Sequence, residues 1–123
     1  MTDARRAALA ALVCLPVSFL IPVDGAEAAA TQCGKASWYA LTSITASGVR
    51  HNPAAMTAAH RSLPFGTRVE VRNLANGRSI VVRIIDRGPF VSGRIIDLSR
   101  GAASRLGFKN SGITRVCLSK LSG

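Results

Sequence analysis

Carboxylates are scarce in this 123-residue chain: Asp3, Asp24, Glu27, Glu70, Asp86 and Asp97 are all it has, against 16 lysines and arginines. The first three fall in a leading segment patterned for removal, so acid–base chemistry in the remainder has three candidates. Cysteine is nearly as sparse, with Cys14 in the leader and Cys33 and Cys117 at the two ends of the rest. Those two cysteines and two histidines, His51 and His60, show no ligand spacing, which argues against a metal site; no cofactor is implied either. One Trp and one Tyr are too few to interleave with the basic residues as a stacking platform, so nucleic acid is not an expected partner. The longest apolar run, residues 7–23, is short for a spanning helix, so no stable membrane anchor is expected.

That run has another reading. Arg5 and Arg6 precede it and a small-residue stretch, residues 26–30, follows it, the order of a secretory signal with its cleavage site. Residues 1–30 are therefore read as a signal peptide and 31–123 as one exported domain, periplasmic or secreted and associated with the cell wall. Val13 stands where lipid processing wants a small residue, which argues against lipidation at Cys14. The remaining 93 residues suffice for one compact domain and not for two, and a monomer is expected. They keep 14 basic residues against three acids, formally +11, a field that favours anionic partners. An even pair of cysteines in an oxidising compartment reads as a disulfide, Cys33 to Cys117, with two buried free thiols as the alternative.

From Lys35 onward the pattern is mostly strand. Residues 36–40 (ASWYA) form a short aromatic strand. Over residues 67–73, Val69 and Val71 alternate with Arg68, Glu70 and Arg72, the period of a half-buried strand with Glu70 on its polar face. Asn76 and Gly77 supply hairpin-turn chemistry, and residues 79–85 return as the next strand. Asp86 then falls in a turn between two β-branched runs. Residues 94–98 make another strand, Ser99 caps a short helix that runs to Leu106 and stops at Gly107, and residues 113–121 make the last strand. Arg83-Ile84-Ile85-Asp86 recurs as Arg94-Ile95-Ile96-Asp97, an echo that is either chance in a Val/Ile/Arg-rich chain or the mark of a small barrel with pseudo-symmetric halves.

The phrases GKASWYA, TASG, MTAAHRSLPFGTRVEVRNLANGRSIVVRIIDRGPF and GRIIDLSRGAASRLG resemble the rare lipoprotein A family of septal-ring lytic transglycosylases. The resemblance covers nearly all of residues 34–121. It implies a mainly β fold, a small six-stranded double-psi β-barrel with one or two short helices. It also implies peptidoglycan glycan strands as partner and cleavage of the β-1,4 bond between N-acetylmuramic acid and N-acetylglucosamine to a 1,6-anhydro end. A hydrolase needs two carboxylates, whereas internal attack by the sugar's 6-hydroxyl lets one residue act first as acid and then as base. Asp86 matches the family's catalytic aspartate in DRGPF. His60, in TAAH, matches a cleft histidine that would orient the aspartate or hold a sugar hydroxyl. Substrate contacts are implied for Trp38, Tyr39, Ser47, Gly48, His51, Thr57 and Arg87; Trp38 and Tyr39 alternate sides, so one packs inward while the other stacks on sugar. Asp97 reads as structural, bonding backbone amides inside the barrel.

The chain departs from the family at one telling place. Where TASG is normally followed by a glutamate, here stands Val49, which neither donates nor accepts a proton, and His51 occupies a usual aromatic position. The competing function is therefore a non-catalytic, expansin-like module that binds wall glycan without cleaving it.

Overall fold

The computed structural model describes residues 31–121; the expected signal peptide, residues 1–30, and its expected cleavage site lie outside the described residues. Six strands close on themselves in the order β1-β5-β2-β4-β3-β6: β1 (Thr31–Tyr39), β2 (Thr57–Ala59), β3 (Arg68–Asn73), β4 (Ser79–Asp86), β5 (Arg94–Ser99) and β6 (Thr114–Lys120). β1 runs parallel to β5 and β2 parallel to β4, each pair with one register shift, while the other four pairings are antiparallel. The repeated Arg-Ile-Ile-Asp segments thus end β4 and open β5, one strand from each parallel pair. One helix, α1 (Arg100–Leu106), is present among the described residues.

Alternation decides the inside. Val69 and Val71 on β3, Val82 and Ile84 on β4, Ile96 and Leu98 on β5, and Val116 and Leu118 on β6 are buried at 0–3% exposure. At roughly 1.5–3 kcal/mol per fully buried aliphatic side chain, this set dominates the driving force. Ala102, Ala103 and Leu106 of α1, with Phe108, close the same core from one end. Ser99 caps the helix by accepting from the Ala102 N–H, and Gly107 ends it at φ 86°, a left-handed conformation open to glycine without strain. Asn73, 1% exposed, locks the helix end to the barrel: its Nδ2 donates to the Leu106 carbonyl and its Oδ1 accepts from the Thr114 hydroxyl.

Cys33 and Cys117 are cross-strand neighbours in β1 and β6 and form a disulfide 84 residues apart in sequence. Four sequence readings need correction. β1 begins at Thr31, five residues before the predicted strand, because β6 supplies partners from Thr31 to Ala36. Asp86 is the last residue of β4, paired with Ala59, and so is held by a sheet ladder where a free turn was expected. β2 was not anticipated. Asp97 faces outward and takes a two-pronged ion pair from Arg94 Nη2 at 2.8 and 2.9 Å, with no backbone amides involved.

Candidate active site

Asp86 lies where three segments meet. Following β1, residues 44–50 fold into a tight turn: Ile44 and Arg50 form a β-bridge, the Thr45 N–H and hydroxyl both donate to the Val49 carbonyl, and Gly48 turns at φ 90°. The Ser47 N–H donates to the Ile85 carbonyl at 3.2 Å, which fixes this turn against the end of β4. Its crown then presents the Ala46 N–H to Asp86 Oδ1 at 2.9 Å, and the Arg87 N–H donates to the same oxygen at 2.9 Å. The other oxygen, Oδ2, accepts from the Tyr39 hydroxyl at 3.2 Å. Each donor comes from a different part of the chain, so the carboxylate's position is over-determined.

Tyr39 in turn stacks on His51, with ring centroids 4.5 Å apart and planes at 19°. His51 is 2% exposed, and neither ring nitrogen makes a well-formed hydrogen bond. Burial holds its pKa below the usual imidazole value, with the Tyr39 backbone and the Asp86 carboxylate pulling the other way, so the ring is neutral at physiological pH. Burial also pushes the Tyr39 phenol well above its ordinary range, and the adjacent Asp86 charge and hydrogen bond add to it. The phenol therefore keeps its proton and stays a donor. His51, Tyr39 and Asp86 form one continuous array, in which the stacked rings set where the phenol points.

His60 is close in the backbone and separate in its side chain. Its N–H donates to the Asp86 carbonyl at 3.1 Å, but its Nδ1 accepts from the Ser62 and Leu63 N–H groups and its Nε2 bonds Gln32 Oε1 at 3.0 Å. Accepting at Nδ1 places the proton on Nε2. Burial, with the Arg87 and Arg61 charges, lowers its pKa and keeps that neutral tautomer. The ring is thus committed to the loop after β2 and does not reach the carboxylate it was expected to orient. It lines a shallow cavity of ≈ 170 Å³ with Gln32, Arg61, Ser62 and Ile95.

Arg87 also turns away from Asp86. Its Nη1 donates to the His60 and Leu63 carbonyls at 3.1 and 2.9 Å, and its guanidinium covers the Phe65 ring at 4.0 Å. Arg61 answers from the opposite loop, donating to the carbonyls of Pro89, Val91 and Arg94. The two arginines clasp the loop after β2 to the loop after β4, each satisfied by backbone oxygens. Sequence reading missed Arg61, since nothing in its spacing distinguishes it from other surface cations.

The remaining candidates separate. Ser47 and Gly48 sit in the turn over Asp86, with Ser47 Oγ bonded to Thr45 Oγ1 at 2.9 Å. Trp38 packs toward the core and donates from Nε1 to the Lys109 carbonyl, leaving Tyr39 as the aromatic at the carboxylate. Thr57 lies on β2 opposite Arg83, its hydroxyl buried without a partner. Val49 is 53% exposed beside the site, and Phe90, in the loop after Asp86, is 79% exposed. Among the described residues, no group of three or more His, Cys, Asp or Glu side chains comes together, and no helix is long and apolar enough to cross a membrane.

A family model described as "Lytic transglycolase" matches residues 31–118. A "Probable endolytic peptidoglycan transglycosylase RlpA" of Synechocystis sp. is 52% identical over 115 residues, covering 87% of this chain and 36% of that protein. An "Endolytic peptidoglycan transglycosylase RlpA" of Pseudomonas aeruginosa is 49% identical over 86 residues, covering 68% and 25%. The chain therefore spans about a third or less of the length of these curated relatives. Among solved structures, Streptomyces papain inhibitor superposes with TM-score 0.64 at 23% identity, over 76% of this chain and 96% of that one. An expansin of Clavibacter michiganensis superposes with TM-score 0.62 at 24% identity, over 76% and 51%. These two likenesses speak for the double-psi barrel fold alone.

Proposed function

The chain belongs to the lytic transglycolase family, and on that premise we propose that it cleaves peptidoglycan glycan strands to 1,6-anhydro ends, with Asp86 as the single acid and base. The observation that carries this reading is the asymmetry of the Asp86 carboxylate. Oδ1 faces two backbone N–H groups, which only donate. Oδ2 faces the Tyr39 hydroxyl, which can donate to a carboxylate or accept from a carboxylic acid. The exchangeable proton therefore belongs on Oδ2. In the forward step Oδ2 gives its proton to the leaving glycosidic oxygen as the C1–O4 bond of N-acetylmuramic acid breaks. The sugar's 6-hydroxyl then attacks C1 and returns its proton to Oδ2, so no water is consumed and the carboxyl group is restored. Tyr39 follows the proton by reversing its hydrogen bond, and its high pKa keeps it from losing its own. The exposed Phe90 ring beside this centre offers an apolar face for a sugar.

Val49 favours the second reading, a barrel that binds wall glycan without cleaving it. The position where the family resemblance implies a glutamate holds an exposed valine, so on this reading one proton donor is missing from the rim of the site. One experiment separates the two. Sacculi digested with the protein and analysed by mass spectrometry should yield anhydro-muropeptides; binding to sacculi with no anhydro product supports the binder and removes the enzyme.

A further inference from the structure

Arg50, Arg61, Arg78, Arg87 and Arg94 all spend their guanidinium groups on carbonyls or a carboxylate of the chain itself. The nine other cations among the described residues do not, and five of these stand together. Arg68 and Arg72 of β3, Arg83 of β4, Arg115 of β6 and Lys35 of β1 are exposed, and their side chains make no hydrogen bond or ion pair among the described residues. They share one side of the barrel. Alternation sends Arg68, Glu70 and Arg72 outward from β3 and Arg115 outward from β6, and Arg83 joins them as the ladder partner of Arg68. In the closed strand order β3 stands across the barrel from β5, and β6 across from β2. The middle of the face, on β3 and β6, therefore stands across the barrel from β5 and β2, while its edges reach them: Arg83 is the ladder partner of Thr57 on β2, and Lys35 that of Arg94 on β5.

Its register is unfavourable for folding. Arg68 lies directly opposite Arg83, and Lys35 directly opposite Arg115. Like charges so placed destabilise a sheet. The one acid on this face, Glu70, is opposite Val81 and Ser119 and faces neither pair. Four residues along β3 separate Arg68 from Arg72, about 13 Å at a strand's rise. The cations thus form two clusters, with Arg72, Arg115 and Lys35 at one end and Arg68 and Arg83 at the other. Two clusters on a convex face suit a polymer carrying anions at intervals better than one small ion. Taking peptidoglycan as the partner, which rests on the reading above, the anions at intervals are the carboxylates of its stem peptides.

We propose that the outer face of β4, β3, β6 and the start of β1 is a second wall-binding surface, which holds stem-peptide carboxylates of one strand while another lies at Asp86. The test is co-sedimentation of the purified protein with intact sacculi and with sacculi stripped of stem peptides by an amidase, across a salt series. Vesicles containing phosphatidylglycerol provide the comparison for a membrane. Wild type should bind intact sacculi about tenfold more tightly than stripped ones at low salt, with the difference vanishing as salt rises. The variant Arg68→Gln/Arg83→Gln/Arg115→Gln should lose that difference, bind stripped sacculi as wild type does, and melt no lower than wild type. Arg83→Gln alone, relieving one pair, should show a partial loss.

Equal binding of intact and stripped sacculi overturns the proposal, as does a triple variant that keeps the difference. A triple variant that melts well below wild type overturns the argument that these pairs are kept at a cost to folding. Arginine-dependent binding to the vesicles without preference for intact sacculi would assign the face to a membrane instead. The readout needs no turnover: missing anhydro product would end the enzymatic reading and leave a measured binding difference standing.

Discussion

Tyr39→Phe removes one atom from the site and leaves the rest in place. The ring still stacks on His51 at 4.5 Å, so the change isolates the hydrogen bond from the phenol to Asp86 Oδ2. Bonds to charged groups contribute about 1.5–3 kcal/mol. At 3.2 Å this one is longer than the usual 2.7–2.8 Å of a hydroxyl donor, and Asp86 is partly open to water that can replace it. The loss is therefore about 1–1.5 kcal/mol, or roughly a 5- to 12-fold fall in kcat/KM for anhydro-muropeptide release. Thermal stability should change by no more than about 0.5 kcal/mol, as expected of a substitution that leaves burial intact. The assay is initial release of anhydro-muropeptides from sacculi beside a thermal melt of the same preparation. A rate within twofold of wild type refutes the role given to the phenol, because Asp86 would then work without its only side-chain donor among the described residues. A rate loss matched by a large fall in melting temperature refutes it too.

The other expectations follow from equally local features. Arg61→Met breaks three bonds to the carbonyls of Pro89, Val91 and Arg94 and should cost about 1–3 kcal/mol, a drop of roughly 5–15 °C in Tm for a domain this size; an unchanged melt would contradict the clasp. Reducing the Cys33–Cys117 disulfide, which spans 84 residues, should destabilise by up to about 4–5 kcal/mol, and the native protein unfolded without reductant should titrate no thiol. Because the folded protein holds His51 and His60 neutral at pKa values below the unfolded one, their contribution is whole above about pH 6.5 and is lost as pH falls through the folded values; His51→Phe should flatten part of that decline in a melt series from pH 8 to 4. Val49→Glu, at a position 53% exposed, should leave the melt unchanged and raise the cleavage rate, since a general acid or base is typically worth about 10²- to 10⁴-fold; a slower enzyme would contradict the reading of that rim position.

Much of the barrel was legible because its signals are local. The alternation of Val69 and Val71 with charged neighbours is a surface-to-core rhythm that any half-buried strand must keep, and β3 spans residues 68–73. Ser99 and Gly107 bound the helix as side-chain cap and left-handed stop. β2 was illegible: Thr-Ala-Ala has no alternation and little strand propensity, and it is a strand only because β4 and β5 flank it on both sides. The site divides the same way. Asp86 stood out because acids are few, but its donors did not, since the Ala46 N–H comes from forty residues upstream through a turn whose placement depends on the Ile85 carbonyl. Arg87, adjacent to Asp86 in sequence, points to the His60 and Leu63 carbonyls, a direction that only the clasp between two loops decides. Asp97 was placed inside the barrel by its strand context, yet its outward parity leaves it to Arg94, three residues earlier.

The most direct test of the central claim is anhydro-muropeptide release by Asp86→Asn beside wild type, with sacculus binding and thermal melting measured on the same samples. Asparagine keeps an acceptor oxygen for the Ala46 and Arg87 N–H groups and removes the exchangeable proton. Wild type should release product, Asp86→Asn none above background, and both should bind sacculi equally. Release by Asp86→Asn at the wild-type rate would contradict it, because the proton would then have to come from another group.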